Sequence, residues 1–311
     1  MQPDRPAAGA SSTRYPRVEP PARPSPLEGD FYVSPRHLAG STVIGDPGLQ
    51  PAFDAGWKPV YDEDGNCYVT ADDQRIRIGY LPEGEDNALW KITAHQQPFG
   101  EPLWAAAFSD TAPTEFVAAF TTSLLTAYEQ PNDRFLHDGS GKPGQAYAPL
   151  FEAGWEVKDP LGRGRKLDFL APDGMAGAWY DGRLGTSYSR TVSDQEMDSN
   201  NTRWGLWGGT RGGEWYVVFS SATPTTLIAA TAAAVVDPEP VLRWAGELSL
   251  MTKRYALVTP VKPPSPTPLE VARRLPRSLP AVQVVTVPRW STSTPSARLP
   301  AAPLSRPTAR R

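Results

Sequence analysis

Apolar and polar positions follow a period that changes along the chain in an order repeated once. Ile76, Ile78 and Tyr80 alternate with Arg75 and Arg77, and Trp90 and Ile92 alternate with Lys91 and Thr93. Trp104, Ala106 and Phe108 form the inner row of a further segment. A period of two is that of a strand with one face buried. Beyond Thr114 the period lengthens, and Phe116, Val117, Phe120 and Leu124 recur at helical spacing. The succession then returns, with Trp215, Val217 and Phe219 as a strand row and Leu227, Ile228, Thr231 and Val235 as a helix face. Ahead of each strand group a short helix is expected to stop at a Gly-Trp pair, Gly56-Trp57 and Gly154-Trp155, with glycine as its C-terminal cap. Thr223-Pro224 has the form of an N-cap followed by an N1 proline. The first copy has Ala112 at the cap position and keeps Glu115 at N3.

The two successions are copies of one another at the level of residues. Leu49-Gln50-Pro51-Ala52-Phe53-Asp54-Ala55-Gly56-Trp57 corresponds to Tyr147-Ala148-Pro149-Leu150-Phe151-Glu152-Ala153-Gly154-Trp155. Trp104 to Ser109 corresponds to Trp215 to Ser220, and Pro113 to Pro224. The offset grows between them, which places an insertion between Tyr180 and Trp204, with the polar stretch 187–201 as a surface loop. The pattern specifies an α+β protein of two tandem copies of one module. Each module is a helix, a four-stranded antiparallel sheet and a closing helix, with the helices on one sheet face. The boundaries are a tail at 1–29, modules at 30–131 and 146–249 joined by a linker at 132–145, and a second tail at 250–311. Both tails are rich in Pro, Ser, Ala and Arg and poor in periodic apolar residues, and they are expected to be disordered.

The chain resembles the actinobacterial domain of unknown function 317, the SPDY-type domain, which commonly occurs as two copies. The residues that carry the likeness are Tyr32 to Gly40, the two Ala-Gly-Trp segments, Leu89 to Ala94, Pro98 to Trp104 and the Thr114 to Phe120 helix. It spans about residues 31 to 248, closer in the first copy, and the Ser-Pro-Asp element is altered to Ala71-Asp72-Asp73 and Ala171-Pro172-Asp173. The resemblance implies an architecture and no chemistry.

Charge changes the picture. Residues 251–311 hold eleven Lys/Arg against Glu270 alone, a net of +10, while the other 250 residues hold 20 basic and 33 acidic residues, a net of −13. The first thirty residues contain Arg5, Arg14, Arg17 and seven prolines but no apolar run, so no secretory signal is expected there. The longest apolar stretch, Leu227 to Val236, is about half a membrane span. A cytoplasmic protein without membrane contact is expected. The single cysteine, Cys67, excludes an intrachain disulfide and a cysteine metal cluster, and His37, His95 and His137 are not at ligand spacing.

No motif supplies catalysis or a cofactor. Asp138-Gly139-Ser140-Gly141-Lys142-Pro143 lacks the leading glycine and the Ser/Thr of a phosphate loop. Gly162-Arg163-Gly164 lacks the third glycine of a dinucleotide fingerprint, with Leu167 in its place. Asp62-Glu63-Asp64 and Glu83 to Asp86 read as solvated turns, His95 as a surface histidine, Cys67 as core, and most tryptophans as inward packing. Neither a cofactor nor a metal is expected. One constellation is distinctive. Tyr68, Arg75, Arg77 and Lys91 share the outer face of copy one, whereas copy two has Asp168, Met175, Gly177 and Gly205 at those positions. They are either ordinary surface residues paired with acidic turns or a ligand-binding face for an anion. The expectation for function is a non-catalytic binding or scaffold protein with an unknown protein partner. The alternative is a single-stranded nucleic-acid binder using the basic tail and this face, resembling the Whirly and Pur-type binders in topology alone. An enzyme is the third reading.

Overall fold

Five strands from each copy join edge to edge into one sheet. The computed structural model of the chain describes residues 29–42, 46–82, 88–137, 142–159, 166–182 and 203–261. A strand, β1 (Asp30–Ser34), and a 3-10 turn (Arg36–Leu38) come first. The first copy is α1 (Asp46–Asp54), β2 (Pro59–Tyr61), β3 (Cys67–Thr70), β4 (Ile76–Tyr80), β5 (Ala88–His95), β6 (Pro102–Ser109) and α2 (Thr114–Tyr128). The second is α3 (Pro143–Ala146), α4 (Ala148–Glu152), β7 (Glu156–Lys158), β8 (Lys166–Leu170), β9 (Ala176–Asp181), β10 (Trp204–Gly208), β11 (Trp215–Phe219) and α5 (Thr225–Val236). After it come β12 (Val241–Trp244), α6 (Leu250–Tyr255) and β13 (Leu257–Pro260).

The ten strands run in the order β2-β3-β4-β5-β6-β11-β10-β9-β8-β7, all antiparallel. The last strand of each copy pairs with its counterpart, through Phe108 opposite Val217, Ala107 opposite Val218 and Ala106 opposite Phe219. This corrects the expectation of four strands per copy, since each copy supplies five and the two copies share one sheet. The fifth strands, β2 and β7, are three residues long and exposed throughout, so no buried alternation marks them in the sequence. Both lie at the sheet edges, where short strands limit pairing with other chains.

Burial follows the periods. Ile76, Ile78, Trp90, Ile92, Trp104, Ala106, Phe108, Trp215, Val217 and Phe219 point to one side and meet Phe116, Val117, Phe120, Leu124, Leu227, Ile228, Thr231 and Val235, all 0–1% exposed. Apolar residues of both copies belong to a single core cluster. Phe120 of α2 stacks on Phe219 at 5.8 Å and meets Phe108 edge-on at 5.6 Å. The Gly-Trp stops are Schellman caps in both copies. Trp57 N–H donates to Ala52 O and Gly56 N–H to Phe53 O, while Trp155 and Gly154 donate to Leu150 O and Phe151 O. Both glycines hold positive φ, at 83° and 80°, a region that favours glycine. Thr223 is not the helix cap, because Pro224 occupies that position and the Thr223 hydroxyl turns to Ala105 O of β6 at 3.3 Å.

Residues assigned by composition to the ends of the chain are part of the fold. β1 lies between β12 and β13 in a separate three-stranded sheet with its own core of Phe31, Val33, Val241 and Leu248. Residues 250–260, expected in a disordered tail, form α6 and β13. The short helix is capped by the Ser249 side chain, which accepts from Thr252 N–H. The strand is recruited by pairing with β1, a partner more than 220 residues away in sequence. Arg243 clamps the small sheet to α2 through two 2.7 Å bonds to Glu115 and two to Gly40 O. The expected loop at 187–201, the Glu83–Asp86 turn, the Gly162–Gly164 turn and most of both tails lie outside the described residues, as does most of the Asp138–Lys142 motif.

Candidate functional site

The helices cover one face of the large sheet, so the other is the surface to examine. Residues opposite one another in an antiparallel ladder share a face. Tyr68 is opposite Gly79, Gly79 opposite Lys91, Lys91 opposite Ala107, and Ala107 opposite Val218. The row continues through Gly205, Trp179 and Asp168 to Lys158. Next to it run Arg77, Thr93 and Ala105 in copy one and Tyr216, Trp207 and Gly177 in copy two. The structure therefore places Tyr68, Arg77 and Lys91, three of the four residues singled out in the sequence, on the uncovered side.

They are not equivalent there. Tyr68 is 41% exposed and donates its hydroxyl to Asp62 Oδ2 at 3.2 Å, the same carboxylate that organises the hairpin turn through Asp64 and Asn66. Desolvation, and then this bond, raise the phenol above its ordinary value, so the hydroxyl stays a donor. Hydrogen bonding from the Asn66 side chain holds Asp62 below the usual carboxylate range. Lys91 is exposed. Arg77 is half-buried and lies 5.7 Å from the centre of the exposed Phe99 ring. Arg75 belongs to the fold and not to the face. It bonds Asp133 through two contacts of 3.0 Å and lies over the buried Phe135 ring at 4.8 Å. The hydrogen bond from Arg75 holds Asp133 below its ordinary value.

Copy two brings a feature that the reading of most tryptophans as inward packing missed. Six of the nine tryptophans from Trp57 to Trp244 are buried as expected, but Trp179 and Trp207 lie on the open face. A Cβ added to Gly177 would stand 2.5–2.6 Å from Cε2, Cζ2 and Nε1 of Trp207 alike. Near-equal distances to three ring atoms mean that the indole turns its flat face to the glycine and lies along the sheet. Its other face is turned outward, and Trp207 is 39% exposed. Trp179 covers Gly205 in the same manner. Tyr216, opposite Trp207, is 37% exposed. The signal was present as glycines facing tryptophans at outward positions, but which pairs meet depends on strand register.

His95 and His37 serve the fold. His95 is buried, contrary to the surface position expected. Its Nδ1–H donates to Gly100 O at 2.7 Å, and Nε2 lies 3.0 Å from the Thr93 hydroxyl, because the 96–101 loop closes over it. His37 Nε2 contacts Asp173 Oδ2 at 2.7 Å in the β8–β9 turn. Cys67 is buried, as expected. Among the described residues no group of three His, Cys, Asp or Glu is placed to hold a metal ion, and no helix is long and apolar enough to cross a membrane. On the helical side a groove of about 520 Å³ is lined by alanines of α2 and α5, including Ala119 and Ala230, and by Ala153 just after α4. Its charged rim includes Glu115, paired with Arg243, and Asp237, paired with Arg36. No serine, cysteine or histidine lines it, so it offers no nucleophile–base pair.

Residues 70–130 and 171–241 match the family model SPDY, a domain of unknown function (DUF317). The chain carries two tandem DUF317 domains. No curated protein and no solved structure matches it. Each DUF317 match begins at a hairpin turn and runs through three strands and the closing helix, β4–β6 with α2 and β9–β11 with α5. The aspartates of the altered Ser-Pro-Asp element shape those turns. Asp73 accepts from Arg75 N–H and Asp173 from Met175 N–H, while Gln74 and Gly174 take positive φ. Within DUF317 the element is therefore a turn determinant in this chain. Arg77, Lys91, Trp179, Trp207 and Tyr216 all fall inside the two matches, and Tyr68 lies just before the first.

Proposed function

We propose that this tandem DUF317 protein is a non-catalytic binding protein that holds its ligand on the open face of the ten-stranded sheet. One observation carries the proposal. The helices cover one face, while the other turns Tyr68, Lys91, Tyr216 and Trp207 to solvent across both copies. Exposed rings on a rigid sheet give contact area at low cost in side-chain entropy. The test is a photo-crosslinking amino acid at Thr93 on the open face, and in a second variant at Ala230 in the helical groove, in cells producing the full chain. Adducts from position 93 and none from 230 are expected. Adducts from 230 alone would overturn the assignment.

The small sheet supports a second reading, contact with a protein partner. Tyr32 and Leu242 lie opposite each other with Trp244 and Leu257 on the same side, all 44–69% exposed. An apolar patch of this kind fits a protein surface and not an anionic polymer. A partner that co-purifies with the wild type and is lost from Leu242→Ser would support it, and retention would sink it.

A further inference from the structure

We infer that the ligand of the open face is single-stranded DNA, an assignment that rests on the binding-face proposal above. Charge is the first argument. The chain has 34 acidic residues, yet on strands β4, β5, β6, β11 and β10 the charged residues facing outward include Arg77 and Lys91 and no carboxylate. Among the described residues, the acids at outward positions lie outside these five strands, with Asp62 beyond β2 and Asp181, Asp168 and Glu156 on β9, β8 and β7. Four strand spacings of about 4.8 Å separate β4 from β10, so the acid-free strip is about 20 Å wide. In a body of net −13, such a strip is complementary to a phosphate backbone and fenced against sliding off it.

The rings select the strand state. Trp207 lies along the sheet with one indole face on Gly177 and the other open, and Tyr216 stands opposite it on β11. A base can stack on an outward ring only when its own face is free, as in a single strand and not within a duplex. Cations in copy one and rings in copy two then divide the work, since phosphate contacts are charge-dependent and stacking is not. The floor between them decides the sugar. Ala105 and Ala107 are buried there, the half-exposed Val218 offers no hydrogen-bonding side chain, and the Thr93 hydroxyl is engaged with His95 Nε2. A ribose 2′-hydroxyl pressed there would lose water without a partner, which disfavours RNA.

The test uses the full-length chain, fluorescence anisotropy, and labelled oligothymidylate, oligouridylate and duplex DNA of about 15 nucleotides, the upper range of a single-strand site. Tyr216→Ala and Trp207→Ala are each expected to weaken oligothymidylate binding about 5- to 100-fold, the range for loss of one stacking ring. Duplex affinity should stay unchanged, because the basic residues 251–311 serve any polyanion. Replacing Arg77 and Lys91 together by Ser should lower the slope of log affinity against log salt by about 1.4. Trp207→Ala uncovers Gly177, so if circular dichroism shows it unfolded, Tyr216→Ala, which covers no glycine, decides alone. Equal binding by wild type and variants would overturn the inference and leave a polycation effect of the basic segment. Tighter binding of oligouridylate, or adducts from position 93 with protein alone, would also overturn it while leaving the binding face in place. Adducts from 230 alone would remove both proposals.

Discussion

Gly177 has its effect through the side chain it lacks. Its Cα is the floor on which Trp207 lies, and an added methyl would meet three indole atoms at 2.5–2.6 Å. Gly177→Ala should therefore lift the ring and cost about 1–3 kcal/mol by overpacking. Urea unfolding would measure the cost, and acrylamide quenching of tryptophan fluorescence should increase. At Arg75 the residue scale corrects an expectation, because an apparently outward cation is committed to Asp133 and Phe135. Asp133 is held below its ordinary value by that bond, so its contribution is present above about pH 4 and is lost as pH falls through the lowered folded value. Thermal melts of wild type and Asp133→Asn should differ at neutral pH and converge in acid. A gap that persists after the carboxylate has been protonated in strong acid would exclude the charge as its source.

The elements hold because each presents one apolar face to a shared layer. Helix α2 sits at the centre of that layer, and its Phe120 meets Trp104 and Phe108 of its own copy and Phe219 of the other. Phe120→Ala is expected to cost about 3–5 kcal/mol. Because the lost contacts cross the repeat boundary, calorimetry should show one transition displaced as a whole. Two separated transitions, only the first shifted, would mean that the copies fold independently. Tyr147, where copy one has Leu49, anchors copy two by placing its hydroxyl 2.9 and 3.0 Å from the carbonyls of Trp179 and Gly205. Full burial pushes that phenol far above its usual value, so it is a permanent donor.

At the scale of the molecule, two pairings join distant stretches of chain. The β6–β11 ladder removes one sheet edge that each copy would otherwise expose, and β1 needs both β12 and β13. A chain ended after Val261 should therefore melt at a higher temperature than one ended after Ser249, which lacks β13 and α6. Equal melting temperatures would show that β13 adds nothing. The buried Arg243–Glu115 pair belongs to the same scale, since it fastens the small sheet to the first closing helix.

Local signals were legible wherever neighbouring residues suffice to decide them. Strand alternation at 76–80 and 90–93, the helix faces of α2 and α5, the Gly-Trp caps and the duplication are all read directly, because period and cap chemistry act within a few residues. The uncovered position of Tyr68, Arg77 and Lys91 follows from the same alternation. What only the tertiary structure decided depends on partners far apart in sequence. The pairing of β6 with β11, the strand at 257–260, the capture of Arg75 by Asp133 and the seating of Trp207 on Gly177 all require a register between segments. Register is set by packing across the sheet, where a slip of one residue would turn every side chain to the other face.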